Sequence, residues 1–176
     1  MKLLKIDFNE IQKAMEDVSR DAFDYFLDLE TGKVMTISNE MLEKAEANLY
    51  KSDNEPIANE KEIDEYDMPE WIEKEVEMAV RIFSSEKDRY LRIPERKSSD
   101  AYNLMKKFTE GVEELHPHDE LLSALGSNNA FSRFKKALAG YPAYREKWFA
   151  LNAKAMKKTI NEWLTSIGVK PEQVYH

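Results

Sequence analysis

Apolar residues at helical spacing fill most of the carboxyl-terminal half of the sequence. Their spacing predicts four successive helices, over residues 98–115, 119–125, 128–139 and 142–167. The last helix carries an apolar arc that is wide enough to be buried on more than one side. This arc includes Trp148, Leu151, Ala155, Trp163 and Ile167. This half of the chain is therefore predicted to be helical throughout.

The amino-terminal half carries the pattern of a small antiparallel sheet. Residues 22–29 alternate with the two-residue period of a half-buried strand. One face holds Phe23, Tyr25, Leu27 and Leu29, and the other holds Asp24, Phe26 and Asp28. Residues 33–37 are again apolar and β-branched, so the two segments predict a hairpin with Gly32 in the left-handed position of its turn. Residues 89–94 predict a third strand, because a residue that precedes proline is disfavoured in a helix.

Three further helices are predicted in this half, over residues 6–18, 40–50 and 70–87, and Asp7 or Asn9 is suited to cap the first of them. Residues 51–68 contain Pro56, scattered acids and few large apolar groups, which indicates a mobile acidic loop. The whole pattern predicts a single domain over residues 1–176. Its fold class is α+β and mostly helical, with the hairpin and the third strand packed against five to seven helices.

Charge is distributed unevenly along the chain. The net charge is −8, but residues 1–88 hold 11 basic and 24 acidic residues, whereas residues 89–176 hold 15 basic and 10 acidic ones. Eight carboxylates lie between residues 53 and 70, and nine bases with only two acids lie between residues 127 and 170. This asymmetry predicts that the basic carboxyl-terminal helices meet acidic groups, either on a partner or within the protein itself.

Several classes of function are disfavoured by what the sequence lacks. Without cysteine there is no disulfide, no thiolate metal site and no cysteine nucleophile. No nucleophile elbow, glycine-rich phosphate loop, dinucleotide fingerprint or His-Glu-x-x-His motif occurs, so no cofactor is predicted. The sequence has no apolar run of about 18 residues, and its first residues are too polar for a signal peptide. A cytoplasmic protein without a membrane partner is expected.

Four short motifs in order carry a resemblance to a known family. They are Asp28-Leu-Glu-Thr-Gly32, Arg89-Tyr-Leu-Arg-Ile-Pro94, Ala130-Phe-Ser-Arg-Phe-Lys135 and Trp148-Phe149. The chain resembles a bacterial group, uncharacterised protein family 0158, from about residue 23 to about residue 168. It departs from that pattern at Asn129, where a glycine is common, and at Phe149, where a tyrosine is common. The resemblance implies no activity, because the group has no assigned function.

Charged residues of the predicted sheet form a candidate cleft. Asp28 and Glu30 can present two carboxylates, and Arg89 and Arg92 can clamp a phosphate or a carboxylate. Ordinary hairpin chemistry accounts for the same acids, and both arginines can instead pair with Asp24 and Asp28 across the sheet. The structural interpretation is favoured, and no catalytic residue is assigned.

Histidines and acids cluster at His116, His118, Asp119 and Glu120. Such groups bind zinc and other divalent ions, but their spacing matches no closed site. His116 near one helix end and Asp119 near the next helix start suit the helix dipoles, so the cluster is interpreted as helix punctuation. No metal site is predicted.

Residues 131–136 interleave bases with aromatic rings, a pattern that can bind a nucleic-acid backbone. Helical spacing places Phe131, Phe134 and Leu138 on one face, which predicts that these rings belong to the core. A basic surface remains if neighbouring helices bring its members together. The candidate binding residues are Arg133, Lys136, Lys147, Lys154 and Lys158.

Three hypotheses of function follow. The first is a cytoplasmic binding or regulatory module whose basic helices engage an acidic protein or a nucleic acid, although the net charge of −8 opposes binding to a nucleic acid. The second is a structural protein whose charge asymmetry is satisfied within itself or in a homodimer. The third is an enzyme that uses Asp28, Glu30, Arg89 and Arg92, which requires that their side chains converge on one cleft.

Overall fold

A computed structural model describes residues 1–43, 70–83 and 88–172 of the chain. The elements are β1 (Lys2–Leu4), α1 (Phe8–Glu16), β2 (Phe23–Asp28), β3 (Val34–Ser38), α2 (Glu70–Phe83), β4 (Tyr90–Arg92), α3 (Ser98–Glu110), α4 (Leu115–Leu125), α5 (Ala130–Ala139), α6 (Pro142–Ser166) and β5 (Val169–Pro171). Residues 39–43 are also helical. This confirms the predicted α+β, mostly helical class, while the predicted loop over residues 51–68 lies outside the described residues.

The chain divides into two compact units. The sheet unit contains the described residues up to Pro94 and those from Leu164 onward, and the helical unit contains Glu95–Trp163. The single domain expected over residues 1–176 stays a prediction. Within the described ranges, no helix combines the length and the apolar character that crossing a membrane requires.

The main sheet of the sheet unit has three antiparallel strands in the order β3-β2-β4. The predicted hairpin and third strand are both confirmed. Phe26 lies opposite Met35 on one side and Arg92 on the other, and it belongs to a core that also contains Ile37, Ala79, Ile82 and Tyr90.

Strand β2 is buried on both faces rather than on one. Leu27 is fully buried and Phe26, its neighbour on the opposite face, is only 8% exposed. Asp28 is buried too, whereas Phe23 is 46% exposed at the start of the strand. The predicted division into one apolar and one solvent-facing side was therefore wrong, because elements cover both sides of this central strand.

The hairpin turn depends on Gly32. Its φ of 78° lies in the left-handed region, as predicted, and its backbone N–H donates to the Asp28 carbonyl at 2.8 Å. A Cβ atom at this position would lie 2.2 Å from the carbonyl oxygen of Lys5. The turn thus packs directly against the chain that leaves β1, and only glycine fits there.

A second, two-stranded sheet joins β1 to β5 in parallel. Lys2 donates to the Gly168 carbonyl at 2.9 Å, and Glu172 donates to the Leu4 carbonyl at 2.7 Å. Sequence reasoning missed this pair, because strands of three residues are too short to show a period.

Helix α1 begins at the side chain of Asp7. The carboxylate accepts hydrogen bonds from the backbone N–H groups of Asn9 at 3.0 Å and Glu10 at 3.3 Å. Of the two predicted caps, Asp7 is thus the one used. These bonds satisfy two N–H groups that have no partner inside the helix.

Replacing Asp7 by alanine is expected to lower the free energy of unfolding by about 1 kcal/mol, because both capping bonds are lost. Asp7→Asn is the matched control, since asparagine caps comparably well, and it should remain within a few tenths of a kcal/mol of the parent. Urea denaturation followed by circular dichroism measures both changes. Equal losses in the two variants would contradict the capping role.

The helical unit packs its helices around aromatic rings. Phe134 contacts Trp148 edge-to-face at 5.2 Å between ring centroids, and Phe108 lies 5.6 Å from Trp148. Met105, Leu121, Leu125 and Leu138 complete this core. Helix α4 begins at Leu115, four residues earlier than predicted, because Pro117 lies in its first turn, where no intrahelical N–H is needed.

Candidate functional site

Three of the four residues in the predicted cleft meet beside the hairpin turn. Arg89 donates to both carboxylate oxygens of Asp28, each at 3.0 Å, and its guanidinium also lies 3.2 Å from Glu30. The backbone N–H of Glu30 donates to Asp28 at 2.9 Å. Asp28 is therefore held as a buried, fully partnered carboxylate.

The electrostatics of Asp28 do not suit a general acid. Burial alone would raise its pKa, but the hydrogen bonds from Arg89, from the Glu30 N–H and from Thr31 lower the pKa to about 2. A carboxyl group with this pKa carries no proton at neutral pH, so Asp28 has none to donate.

Arg92 belongs to a different ion-pair group. It donates to Asp24 at 2.8 Å, and Asp24 also accepts from Arg20 at 3.0 Å. Arg20 is a buried residue with a positive φ of 42°, and it donates further to the carbonyls of Ala14 and Ile93. The predicted cleft thus separates into an Asp28–Arg89–Glu30 group and an Arg20–Asp24–Arg92 group. Each group contains one of the predicted cross-sheet ion pairs, Asp28–Arg89 in the first and Asp24–Arg92 in the second.

The histidine cluster lies in the first turns of α4. His116 is not at the end of the preceding helix, as was expected, because α3 ends at Glu110. His116 lies 3.8 Å from Glu120, and His118 lies 3.3 Å from Asp119. Among the residues that the structure describes, no three His or acidic side chains are arranged to hold a metal ion.

All five predicted binding residues belong to the helical unit and are exposed. They are Arg133, Lys136, Lys147, Lys154 and Lys158. Within the described part of the chain, none of them has an ion-pair partner closer than 4 Å. The ammonium of Lys147 lies 5.5 Å from the centroid of the Tyr144 ring. Their charges are therefore presented to solvent.

Three of these residues form a stripe along α6, called here the lysine stripe. Lys147, Lys154 and Lys158 are seven and four residues apart, which places them on one side of a helix. The neighbouring face is buried and repeats every fourth residue. It holds Trp148, Asn152, Met156 and Ile160. Because that face anchors the helix, the orientation of the lysine stripe toward solvent is fixed.

Arg133 and Lys136 line an open groove between α4 and α5, called here the α4–α5 groove. It has a volume of about 630 Å³. Its α4 side carries His116, Asp119, Glu120 and Ser123, and its lining also includes the small residues Ala124 and Ala137. Burial and the nearby Glu120 carboxylate raise the pKa of the Tyr141 hydroxyl. The groove therefore has one basic and one acidic wall.

Exposed apolar side chains accompany these charges. Phe131 is 43% exposed, so its predicted place in the core was wrong, although Phe134 and Leu138 are buried as expected. Phe149 is 51% exposed, and the Arg145 guanidinium stacks over its ring at 5.0 Å. Sequence reasoning did not single out Phe149 as a surface residue. Adjacent residues on a helix point in different directions, so the position of Phe149 next to the buried Trp148 could have indicated that its ring faces solvent.

Comparisons with known proteins agree with the motifs quoted above. A model of an uncharacterised protein family (UPF0158) matches residues 70–173, which include three of the four motifs but not the turn at Asp28–Gly32. No curated protein and no solved structure gives a significant match. Since the family model covers more than half of the sequence, the chain belongs to the uncharacterised protein family UPF0158.

Proposed function

We propose that the chain is a cytoplasmic binding or regulatory module whose helical unit engages an acidic protein partner. The observation that carries this proposal is the lysine stripe. Lys147, Lys154 and Lys158 share one side of α6, are exposed, and have no ion-pair partner among the described residues. Unpaired charges of one sign on a rigid element attract a complementary surface and orient it.

The composition of the surrounding surface supports a large partner. Residues 130–163 contain eight bases and two acids, so the potential of α5 and α6 is positive although the chain as a whole is acidic. Phe131 and Phe149 add exposed rings, and aromatic residues and arginine are enriched where protein interfaces gain most of their energy.

A protein is a better match than a nucleic acid. The first half of the chain has 13 more acids than bases, and these charges repel a phosphate backbone. A folded acidic protein can present a single negative patch to the lysine stripe, whereas a nucleic acid carries phosphates along its whole length. Labelled RNA and DNA, titrated at low salt, test the nucleic-acid alternative directly. Tight binding that is lost in the lysine-stripe variant described next would favour it over a protein partner.

Reversing the lysine stripe with Lys147→Glu, Lys154→Glu and Lys158→Glu is expected to weaken binding of a fluorescent glutamate-rich peptide by about tenfold or more. Fluorescence anisotropy at physiological ionic strength measures the dissociation constant. The control is Lys97→Glu with Lys106→Glu and Lys107→Glu, which reverses three other exposed charges of the helical unit. The control changes the net charge by the same amount but leaves the lysine stripe of α6 intact, so it should lose much less affinity. Equal losses in both variants, or no binding by the parent, would refute the proposal.

Self-association is the second candidate, and the acidic wall of the α4–α5 groove favours it, because the helical unit carries both signs of charge on one surface. In a symmetric dimer, the basic wall of one α4–α5 groove would meet the acidic wall of the other. The lysine-stripe variant should dissociate such a dimer only if α6 also belongs to the dimer interface. Sedimentation equilibrium of the parent at low salt measures whether the protein self-associates. If the parent is a monomer, self-association is excluded as a function. The enzyme hypothesis gains no support from the paired Asp28, Glu30, Arg89 and Arg92.

A further inference from the structure

We propose that the α4–α5 groove selects a polypeptide segment that carries acidic and basic side chains in alternation, rather than a uniformly anionic one. This inference rests on the proposed function and names the chemistry of the partner. It is carried by the juxtaposition of a basic wall, Arg133 and Lys136, with an acidic wall, Asp119 and Glu120, across one open groove.

The dimensions of the groove suit side chains of a partner. Its volume of about 630 Å³ lies within the range of ordinary ligand sites, which span about 300–1,000 Å³. Ala124 and Ala137 contribute short apolar side chains to the lining, so the methylene stems of long charged side chains can lie against them while their charged ends reach the walls.

The charged residues of the two walls have few ion-pair partners within the described part of the protein, and the basic wall has fewer than the acidic wall. Arg133 and Lys136 have no ion-pair partner in the described residues. Among the described residues, Glu120 lies 3.8 Å from the exposed His116 and close to the Tyr141 hydroxyl, and Asp119 lies 3.3 Å from His118. Contacts of this exposed kind are weak, so both walls remain open to an incoming group of opposite charge.

The groove discriminates between partner segments by repelling like charges as well as by attracting opposite ones. An anionic segment that reaches Arg133 and Lys136 also places negative charge against Asp119 and Glu120, and like charges at close range oppose binding. A segment with a lysine or arginine near each acid meets both walls with complementary charge. Glutamate and lysine four residues apart on one helix provide such a pairing, because their side chains are neighbours on the helix surface.

Two synthetic acidic peptides of equal length and equal glutamate content test the inference. One carries lysine four residues after alternate glutamates, and the other carries glutamine at those positions. The parent protein is expected to bind the lysine peptide about threefold or more tightly, although that peptide is the less acidic of the two. Asp119→Asn combined with Glu120→Gln should reverse the preference, because the basic wall then acts alone.

The matched control is Glu110→Gln combined with Glu146→Gln. It removes two exposed acids of the helical unit that do not line the groove, and it should keep the preference for the lysine peptide. If the parent prefers the glutamine peptide, or if the Asp119 and Glu120 changes leave the preference unaltered, the inference is overturned while the proposed function stands. If neither peptide binds at low ionic strength, the proposed function fails and the inference fails with it.

Discussion

Replacing Phe134 by alanine is expected to lower the free energy of unfolding of the helical unit by about 3–5 kcal/mol. The ring is fully buried and lies edge-to-face with Trp148 at 5.2 Å and with Phe108 at 6.4 Å. Its removal leaves a cavity between three helices and ends both aromatic contacts. Urea unfolding, followed by circular dichroism and by tryptophan fluorescence, measures the loss.

Phe131 provides a control within the same helix. It is the same residue type three positions earlier, but it is 43% exposed. Phe131→Ala should change the free energy of unfolding by less than about 0.5 kcal/mol, because a surface ring has little packing to lose. If Phe131→Ala were as destabilising as Phe134→Ala, the orientation of α5 described above would be wrong.

The second large effect concerns the pH dependence of stability. The pKa of Asp28 is about 2 in the folded protein, against an ordinary value of 3.8. A carboxyl group whose pKa is lowered by folding stabilises the protein above its unfolded-state pKa, by about 2.5 kcal/mol for a shift of this size. That contribution is lost as the pH falls from about 4 toward about 2.

Asp28→Asn should therefore be less stable than the parent by about 2–3 kcal/mol at neutral pH, and the gap should close near pH 2. Glu30→Gln is the control, because Glu30 also contacts Arg89 but is exposed, and an exposed pair contributes little. Chemical unfolding at a series of pH values measures both gaps. A deficit of Asp28→Asn that persisted unchanged at about pH 2 would show that the loss does not arise from the charge of Asp28.

Long periodic elements were predictable, and the faces of the sheet were not. Helices α3, α5 and α6 follow their apolar spacing because each buries one side against the rest of its unit. Strand β2 was found by its alternation, but the sequence does not state how many layers cover it. Asp28 interrupts the apolar pattern only because Arg89, which is distant in sequence, neutralises it in the fold.

Only part of the candidate site was predictable, because some of it lies on one helix and the rest depends on how two helices pack together. Exposure of Lys147, Lys154 and Lys158 follows from helical geometry together with the apolar arc of the same helix, and so it was predictable from the sequence. The α4–α5 groove was not, because its walls come from two helices whose relative position is set by packing. The early start of α4 also mattered, since the predicted start at residue 119 left His116 outside the helix that carries Asp119 and Glu120.

The parallel pairing of β1 with β5 has a consequence for the order of folding during synthesis. The helical unit is one continuous stretch of sequence, so all of its packing partners have been translated once Trp163 has emerged from the ribosome. The first strand must wait for residues 169–171, almost the whole length of the chain later. Until then the backbone groups of β1 that pair with β5 lack that partner strand, and we expect the nascent chain to present them to chaperones or to a neighbouring chain.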